Sequence, residues 1–252
     1  MNFTDILTWV ILLIFVYLIY LWFFGGNSSS TLSRLHDATQ SLSINPSEIP
    51  ATPSSNFSFS ICYYLDDWNY KFGEKKVIFD RQTSDICGTN DDKDKQQTFC
   101  SSPKIEFDAT VNDIIITLAT FPQDATNEGS PQATPETLVI NNVPLQKWTS
   151  LILTVHGRAM DVYLDGKLVN TLILTHPPKM NSTHSLTLTP DGGFSGSTAN
   201  FLYHPKSLNP RDAYNLYKEG CGSTSWLGSL FNRYRLKLAF LRDNQEINSF
   251  EI

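Results

Sequence analysis

The feature of this sequence that most constrains its fold is a strict two-residue alternation of side chains between residues 57 and 65. The apolar set consists of Phe57, Phe59, Ile61, Tyr63 and Leu65, and the residues between them are Ser58, Ser60, Cys62 and Tyr64. Successive side chains of a strand point to opposite faces of its sheet, so one of these sets is buried and the other lies outside. This segment is therefore predicted to be a half-buried strand.

Further short runs with strand composition follow, bounded by turn residues. They are Lys76–Asp80, Lys104–Phe107, Asp113–Ala119, Thr137–Ile140, Ser150–His156, Ala159–Leu164, Lys167–Leu174, Ser185–Leu188 and Ser197–Tyr203. Asp165 and Gly166 between two of these runs form a tight hairpin signal, because both positions of such a turn favour positive φ. Many short strands with tight turns predict an all-β fold, a two-sheet jelly-roll sandwich.

A short helix is predicted where the strands end. Asn209 is a favourable helix cap, Pro210 suits the first helical position, and Gly220 ends the pattern after residues 213–218. The sandwich domain is accordingly expected to span residues 56–221.

The N-terminus carries a different signal, because residues 6–24 contain no charged side chain. A helix of this length just crosses a hydrocarbon core of about 30 Å, which predicts a retained transmembrane anchor and a single-pass membrane protein. The anchor residues are Ile6, Trp9, Leu13, Tyr17, Tyr20, Trp22 and Phe24. The alternative is a cleaved secretory signal, but the tip at residues 1–5 lacks the basic residues that such a signal needs. Orientation in the membrane stays open.

Two segments flank the predicted sandwich. Residues 25–55 are rich in Ser and punctuated by Pro, with sparse apolar residues, and predict an extended stalk. Residues 222–252 place apolar side chains at helical spacing among basic ones, which predicts an amphipathic helix. This tail either packs on the sandwich, docks into a protein groove or lies on an anionic membrane. Its candidate partner-binding residues are Trp226, Leu230, Phe231, Arg233, Tyr234, Arg235 and Lys237.

The four cysteines leave two interpretations open. Cys87 and Cys100 bracket a polar stretch, which a disulfide would close. In a reducing compartment all four would instead be free thiols. Their spacing lacks the C-x-x-C pairs of a zinc site.

A family resemblance rests on residues 143–169 and 186–220. The segment Val143-Pro144-Leu145-Gln146-Lys147-Trp148 leads into the run Val162-Tyr163-Leu164-Asp165-Gly166-Lys167-Leu168-Val169, and this pattern resembles the laminin G-like branch of the concanavalin A-like lectin and glucanase superfamily. The resemblance implies a jelly roll, and Trp148 is expected to fill the core between its sheets. With the predicted anchor and stalk, the chain also resembles membrane-anchored laminin G-like proteins of large icosahedral DNA viruses. That implies a minor capsid protein tethering a protein shell to an inner membrane.

The sequence shows little support for catalysis, and neither a metal nor a cofactor is expected. Glucanases of this superfamily align paired carboxylates on one strand, but here Glu106 and Asp108 are followed by Val111 where the second glutamate would lie. We therefore expect Glu106 and Asp108 to be solvent-facing. A calcium ion held by Asp66, Asp67 and Asp80, or by Asp161 and Asp191, is an alternative without a recognisable ligand register.

The predicted function is therefore a non-enzymatic structural protein that binds a membrane and other proteins, which are expected to be those of a capsid or shell. The alternative is a membrane-displayed lectin, with Trp68 and Tyr70 as the aromatic platform for a glycan. Nucleic acid is excluded as a partner, because a net charge of −6 and a pI near 5.3 leave no broad basic face.

Overall fold

The computed structural model describes residues 9–18, 29–50, 55–87, 99–122, 133–180, 184–221, 237–242 and 245–251. The strands in chain order are β1 (Ser30–Ser33), β2 (His36–Asp37), β3 (Leu42–Ile44), β4 (Phe57–Asp67), β5 (Lys76–Ile86), β6 (Phe99–Phe107), β7 (Ile114–Thr120), β8 (Thr134–Ile140), β9 (Thr149–His156), β10 (Ala159–Leu164), β11 (Lys167–Ile173), β12 (Leu186–Leu188), β13 (Ser195–His204), β14 (Lys237–Arg242) and β15 (Gln245–Glu251). One α-helix, Pro210–Glu219, follows β13.

These strands form two main antiparallel sheets. In the first sheet the order is β1-β13-β4-β9-β10-β11, with β2 also pairing with β13, and in the second it is β3-β12-β5-β6-β7-β8. The two sheets pack face to face, which confirms the predicted two-sheet sandwich.

The core between the sheets is aromatic. The alternating strand β4 contributes most to this core. Its inward side chains, at alternate positions from Phe57 to Leu65, are at most 1% exposed, as predicted. Phe59 lies 5.3 Å from Phe79 of the second sheet, and Tyr63 lies 5.3 Å from Phe107, in each case between ring centroids. Burying each large side chain contributes about 1.5–3 kcal/mol, so this strand anchors one sheet to the other.

Residues 30–49 belong to the sandwich and differ from the stalk predicted over 25–55. β1 pairs with β13 and β3 pairs with β12, so this segment adds a strand to each sheet. Leu32, Ile44 and Ile49 are buried in the core. Sparse apolar residues suffice here because main-chain hydrogen bonds join an edge strand to its sheet whatever its side chains are.

The predicted single-pass membrane localisation is corrected. Among the described residues, no helix combines the length and the apolar character needed to cross a membrane. The described helical stretch at the N-terminus covers residues 9–18, about 15 Å of helix at 1.5 Å per residue. Residues 6–8 and 19–24 of the predicted anchor lie outside the described residues.

The tail also differs from its prediction. β14 (Lys237–Arg242) and β15 (Gln245–Glu251) form an antiparallel pair where an amphipathic helix was expected, with Lys237 opposite Glu251 and Arg242 opposite Gln245. Asp243 and Asn244 between the two runs are turn-forming residues, which favours a hairpin over a continuous helix. The other candidate docking residues, from Trp226 to Arg235, lie outside the described residues.

Local signals near the end of the domain are confirmed. Asp165 and Gly166 have φ of 48° and 73° and close the β10–β11 hairpin. The Asn209 side chain accepts a hydrogen bond of 2.9 Å from the Asp212 N–H at the start of the helix.

Two disulfides join Cys62 to Cys221 and Cys87 to Cys100, with Cα atoms 5.6 and 5.1 Å apart.

Candidate functional site

The outer face of the first sheet carries the side chains that alternate with the core residues. Cys62 lies opposite Ser150, and Ser58 lies opposite Thr154. Within the described part of the chain, this surface is covered at one end and open at the other.

The covered part lies under residues 205–221, which we call the cover. Ile152 and Tyr163 of the sheet pack against Leu208 and Ala213 of the cover. The Ser58 hydroxyl donates to the Lys206 carbonyl at 2.9 Å and accepts from the Leu208 N–H at 3.1 Å. The Cys62–Cys221 disulfide fixes the end of the cover to β4. This half of the face is therefore a second, small core.

The open part begins two residues further along β4. Tyr64 and Trp148 stand side by side on the outer face, with ring centroids 5.7 Å apart and planes tilted by 43°. Trp148 is 37% exposed. The expectation that Trp148 fills the core is wrong, because the next residue, Thr149, is the buried one, opposite Tyr63, and the strand alternation turns Trp148 outward.

A shallow, open depression of about 600 Å³ adjoins Tyr64. Its lining comes from the β1–β2 region, from β4 and from the start of β13. The lining residues are Leu35, His36, Asp37, Thr39, Tyr64, Asp66, Ser195, Gly196 and Ser197. Leu35 is 74% exposed, so the depression combines an apolar edge and an aromatic ring with carboxylates and hydroxyls. We call the depression together with Trp148 the open face.

The backbone under the open face is closely packed at Gly196. Its φ is +150°, and a Cβ added there would lie 1.9 Å from the Tyr64 carbonyl oxygen. The Gly196 carbonyl accepts a hydrogen bond of 3.0 Å from the Ala38 N–H, which fixes the chain after β2 against β13. Glycine is required at this position because a side chain would push apart the elements that line the depression.

The polar groups of the open face are held in defined orientations. The Thr39 N–H and hydroxyl donate to Asp37 Oδ1 at 2.9 and 2.8 Å. The backbone hydrogen bond lowers the pKa of the Asp37 carboxyl, and the Thr39 hydroxyl lowers it further, so Asp37 is an anion at neutral pH. His36 Nε2 donates to the Gln40 carbonyl at 2.8 Å. The oriented Asp37 carboxylate is a hydrogen-bond acceptor suited to a ligand rich in hydroxyl groups.

The structure places the predicted platform, Trp68 and Tyr70, elsewhere. Trp68 is half-buried against the core, with its ring edge-on to Phe107 at 6.3 Å and the Lys76 ammonium 4.4 Å from its centroid. The Tyr70 hydroxyl donates to the Gly192 carbonyl at 3.0 Å. The Trp68 ring packs against the core and the Tyr70 hydroxyl is bound to Gly192, whereas Trp148 is 37% exposed, so Tyr64 and Trp148 are the stronger candidate platform.

The two carboxylates considered for catalysis have structural partners. Glu106 is only 3% exposed and forms ion pairs of 2.7 Å with Lys75 and Lys104, which corrects its predicted solvent-facing position. Asp108 accepts hydrogen bonds from the N–H groups of Thr110 and Val111, and these lower its pKa. The described part of the chain contains no group of three or more His, Cys, Asp or Glu able to hold a metal ion.

Comparison with known proteins shows a likeness of fold. No family model matches the chain, and neither does any curated protein. Among solved structures, the chain is similar to the receptor-binding domain of a botulinum neurotoxin C/D mosaic serotype, with 12% identity and a TM-score of 0.53 over 74% of this chain and 42% of that one. It is also similar to the ligand-binding domain of botulinum neurotoxin serotype D in complex with N-acetylneuraminic acid, with 11% identity and a TM-score of 0.53 over 76% and 43%.

The chain thus spans about two fifths of the length of these binding domains. At 11–12% identity the likeness establishes the fold alone, a two-sheet β-sandwich similar to part of each neurotoxin domain.

Proposed function

We propose that this protein is a non-enzymatic glycan-binding protein and that the open face is its binding site. The observation that carries the proposal is the pair of the half-buried Tyr64 and the exposed Trp148 beside a depression lined by carboxylates and hydroxyls. Ile152 and Tyr163 on the outer face of the same sheet are covered by the chain itself, whereas Trp148 is 37% exposed beside the depression.

The chemistry of a sugar ring matches this arrangement. A pyranose has an apolar face of C–H groups, which stacks on an aromatic ring, and a rim of hydroxyls, which donate to carboxylates and exchange hydrogen bonds with Ser and Thr. Trp148 and Tyr64 supply the aromatic surface, and Asp37, Asp66 and Ser197 supply the rim partners. Shallow open sites bind such ligands weakly one at a time, since little of the ligand surface is buried.

A family resemblance in the sequence and a likeness of fold support this proposal. The sequence resembles the laminin G-like branch of a lectin and glucanase superfamily, and a structural neighbour is described as a ligand-binding domain in complex with N-acetylneuraminic acid. The ligand of that neighbour belongs to a chain more than twice the length of the matched part, so its transfer to this protein is part of the proposal.

A binding role fits the open face better than a hydrolytic one. Glycoside hydrolysis by paired carboxylates needs one acid with a raised pKa beside an ionised partner. Asp37 has a lowered pKa because the Thr39 N–H donates to it, so it accepts hydrogen bonds and does not deliver a proton at neutral pH.

The capsid role implied by the viral resemblance stays a prediction. No observation in the described residues favours it over glycan binding, and its membrane-spanning component is not retained.

The direct test is to apply the 252-residue chain to an array of immobilised glycans, together with Trp148→Ala. We expect binding by the wild type and at least about tenfold weaker binding by the variant. Phe121→Ala is the matched control, because Phe121 is also an exposed ring, 49% exposed, but follows β7 of the second sheet. Equal binding by wild type and Trp148→Ala, or binding to no glycan, would contradict the proposal.

A further inference from the structure

We infer that the open face selects neutral glycans and disfavours those that end in an acidic sugar such as N-acetylneuraminic acid. This inference rests on the proposed function and names its class of ligand. The juxtaposition that carries it is an aromatic pair beside two carboxylates, Asp37 and Asp66, in a lining without lysine or arginine.

The charge of the lining is set by these two aspartates. Asp37 is held ionised by the two hydrogen bonds from Thr39, and Asp66 is an exposed side chain at the end of β4. The lining residues of the depression include no Lys or Arg, and the histidine, His36, uses Nε2 to donate to the Gln40 carbonyl. A ligand carboxylate in this depression would therefore meet negative charge, and among the described lining residues it would meet no lysine or arginine to pair with.

The lysines closest along the chain are engaged elsewhere. Lys147, next to Trp148, forms a hydrogen-bonded ion pair of 2.7 Å with Asp165 of the β10–β11 hairpin. Lys71 donates to the Asp191 carbonyl at 2.8 Å and lies 3.6 Å from Glu74. Arg34 precedes Leu35 and is exposed, but it is not a lining residue.

The depression should therefore attract a neutral sugar and repel an acidic one. A neutral pyranose places hydroxyl donors against Asp37 and Asp66, and charge-assisted hydrogen bonds of this kind are stronger than neutral ones. An acidic sugar brings a third carboxylate to the same place, and the net charge of −6 on the chain adds to the repulsion. The expected selectivity thus differs from that of the serotype D neurotoxin domain, which was solved with N-acetylneuraminic acid.

The experiment uses matched pairs of immobilised oligosaccharides, each pair being one neutral glycan and the same glycan extended by N-acetylneuraminic acid. The 252-residue chain is applied at low and at physiological ionic strength. We expect at least about tenfold preference for the neutral member, and we expect salt to reduce the preference because it screens repulsion.

The charge variant combines Asp37→Asn with Asp66→Asn, and the amide oxygen introduced at position 37 can still accept the hydrogen bonds from Thr39. This variant should reduce the preference to about threefold or less, whereas Arg34→Gln should leave it unchanged. Equal or stronger binding of the sialylated member by the wild type, with Trp148→Ala still abolishing it, would overturn the inference and leave the proposed function standing. Binding to neither member of any pair would overturn both.

Discussion

The two ends of the outer face of the first sheet differ in whether they are covered. At one end of the outer face of the first sheet, Ser58, Ile152 and Thr154 lie under the cover of residues 205–221 and form a small closed core. At the other end, Tyr64 and Trp148 of the same pair of strands stay at the surface beside a depression. The Cys62–Cys221 disulfide fixes the end of the described cover to β4, one pair of residues before Tyr64.

The contrast separates a covered, structural part of the sheet face from the proposed binding surface. Tyr163 is buried under the cover, whereas Trp148 beyond it is 37% exposed. Under the proposed function the cover contributes stability and the open face contributes binding, so substitutions in the two regions should separate into two kinds of effect.

The largest effect is expected from removing the disulfide that ends the cover. Cys62 and Cys221 are 159 residues apart, so the bond restrains a long loop of the unfolded chain. Replacing both by Ala should lower the free energy of unfolding by about 5 kcal/mol in the chain-entropy estimate. Replacing Cys87 and Cys100, which are 13 residues apart, should lower it by about 2 kcal/mol less, because the loop closure term grows with loop length. Chemical denaturation of both double variants measures the difference, and equal losses would contradict this account of the cover.

The next effect breaks the base of the open face. Gly196→Ala places a Cβ against the Tyr64 carbonyl oxygen, at 1.9 Å unless the strands move, and should lower the free energy of unfolding by about 4 kcal/mol. Gly157→Ala is the control, since its φ is also positive, +59°, but no atom lies within 4 Å of the added Cβ. The control should lose only about 1 kcal/mol, from backbone strain. Similar losses for both variants would show that the strands around Gly196 move apart at little cost in free energy.

A pH titration probes the covered end. His204 at the end of β13 is 6% exposed, and its burial, with Lys206 nearby, lowers its pKa to about 4. The unfolded chain binds the proton near pH 6.5 and the folded protein only near pH 4, so this group destabilises the fold as the pH falls between these values. The loss contributed by His204 reaches about 3 kcal/mol at pH 4. His204→Gln should unfold with a flatter pH dependence over this window, and the same slope in both proteins would refute the assignment.

A smaller effect tests the hydrogen bonds that hold the cover down. Ser58→Ala removes the hydroxyl shared by Thr154, the Lys206 carbonyl and the Leu208 N–H, and should lower the free energy of unfolding by about 2 kcal/mol. Ser197→Ala on the open face is the comparison, since Ser197 lines the depression, and it should cost less than about 0.5 kcal/mol. Thermal unfolding of the two variants gives both values, and equal losses would show that the hydroxyl of Ser58 does not hold the cover.

The smallest effect on stability is expected at the aromatic pair itself. Trp148→Ala and Tyr64→Ala remove rings that lie outside the core between the sheets, so each should lower the free energy of unfolding by less than about 1 kcal/mol. A loss above about 3 kcal/mol for Trp148→Ala, the range typical of a buried ring, would show that the ring is a core element and would reverse the contrast between the two ends.

The sequence predicts the inner faces of the sheets better than the outer one. The alternation from Phe57 to Leu65 determines which side chains enter the core, because strand geometry forces the period of two. The Asp165-Gly166 turn and the Asn209 cap are equally predictable, since each is decided by neighbouring residues. Such local signals are enough to predict the sandwich fold.

The site is not predictable in this way. The same alternation places Tyr64 outside, but whether it is covered depends on residues 205–221 and on a bond between Cys62 and Cys221. The local pattern Pro144-Leu145-Gln146-Lys147-Trp148 predicts an aromatic in the core, and only the register of Tyr63 with Thr149 shows that Trp148 faces outward. The composition of residues 30–44 predicts a stalk instead of edge strands, because the pairing of these strands rests on main-chain hydrogen bonds, which leave little trace in composition.

The most direct test of the central claim is amide hydrogen exchange of the 252-residue chain with and without a glycan that it binds. The account predicts slower exchange on binding in the segments around Tyr64 to Asp66, Trp148 and Ser195 to Ser197, with the helix Pro210–Glu219 unchanged. Protection confined to the cover or to the second sheet, with the open face unchanged, would contradict it.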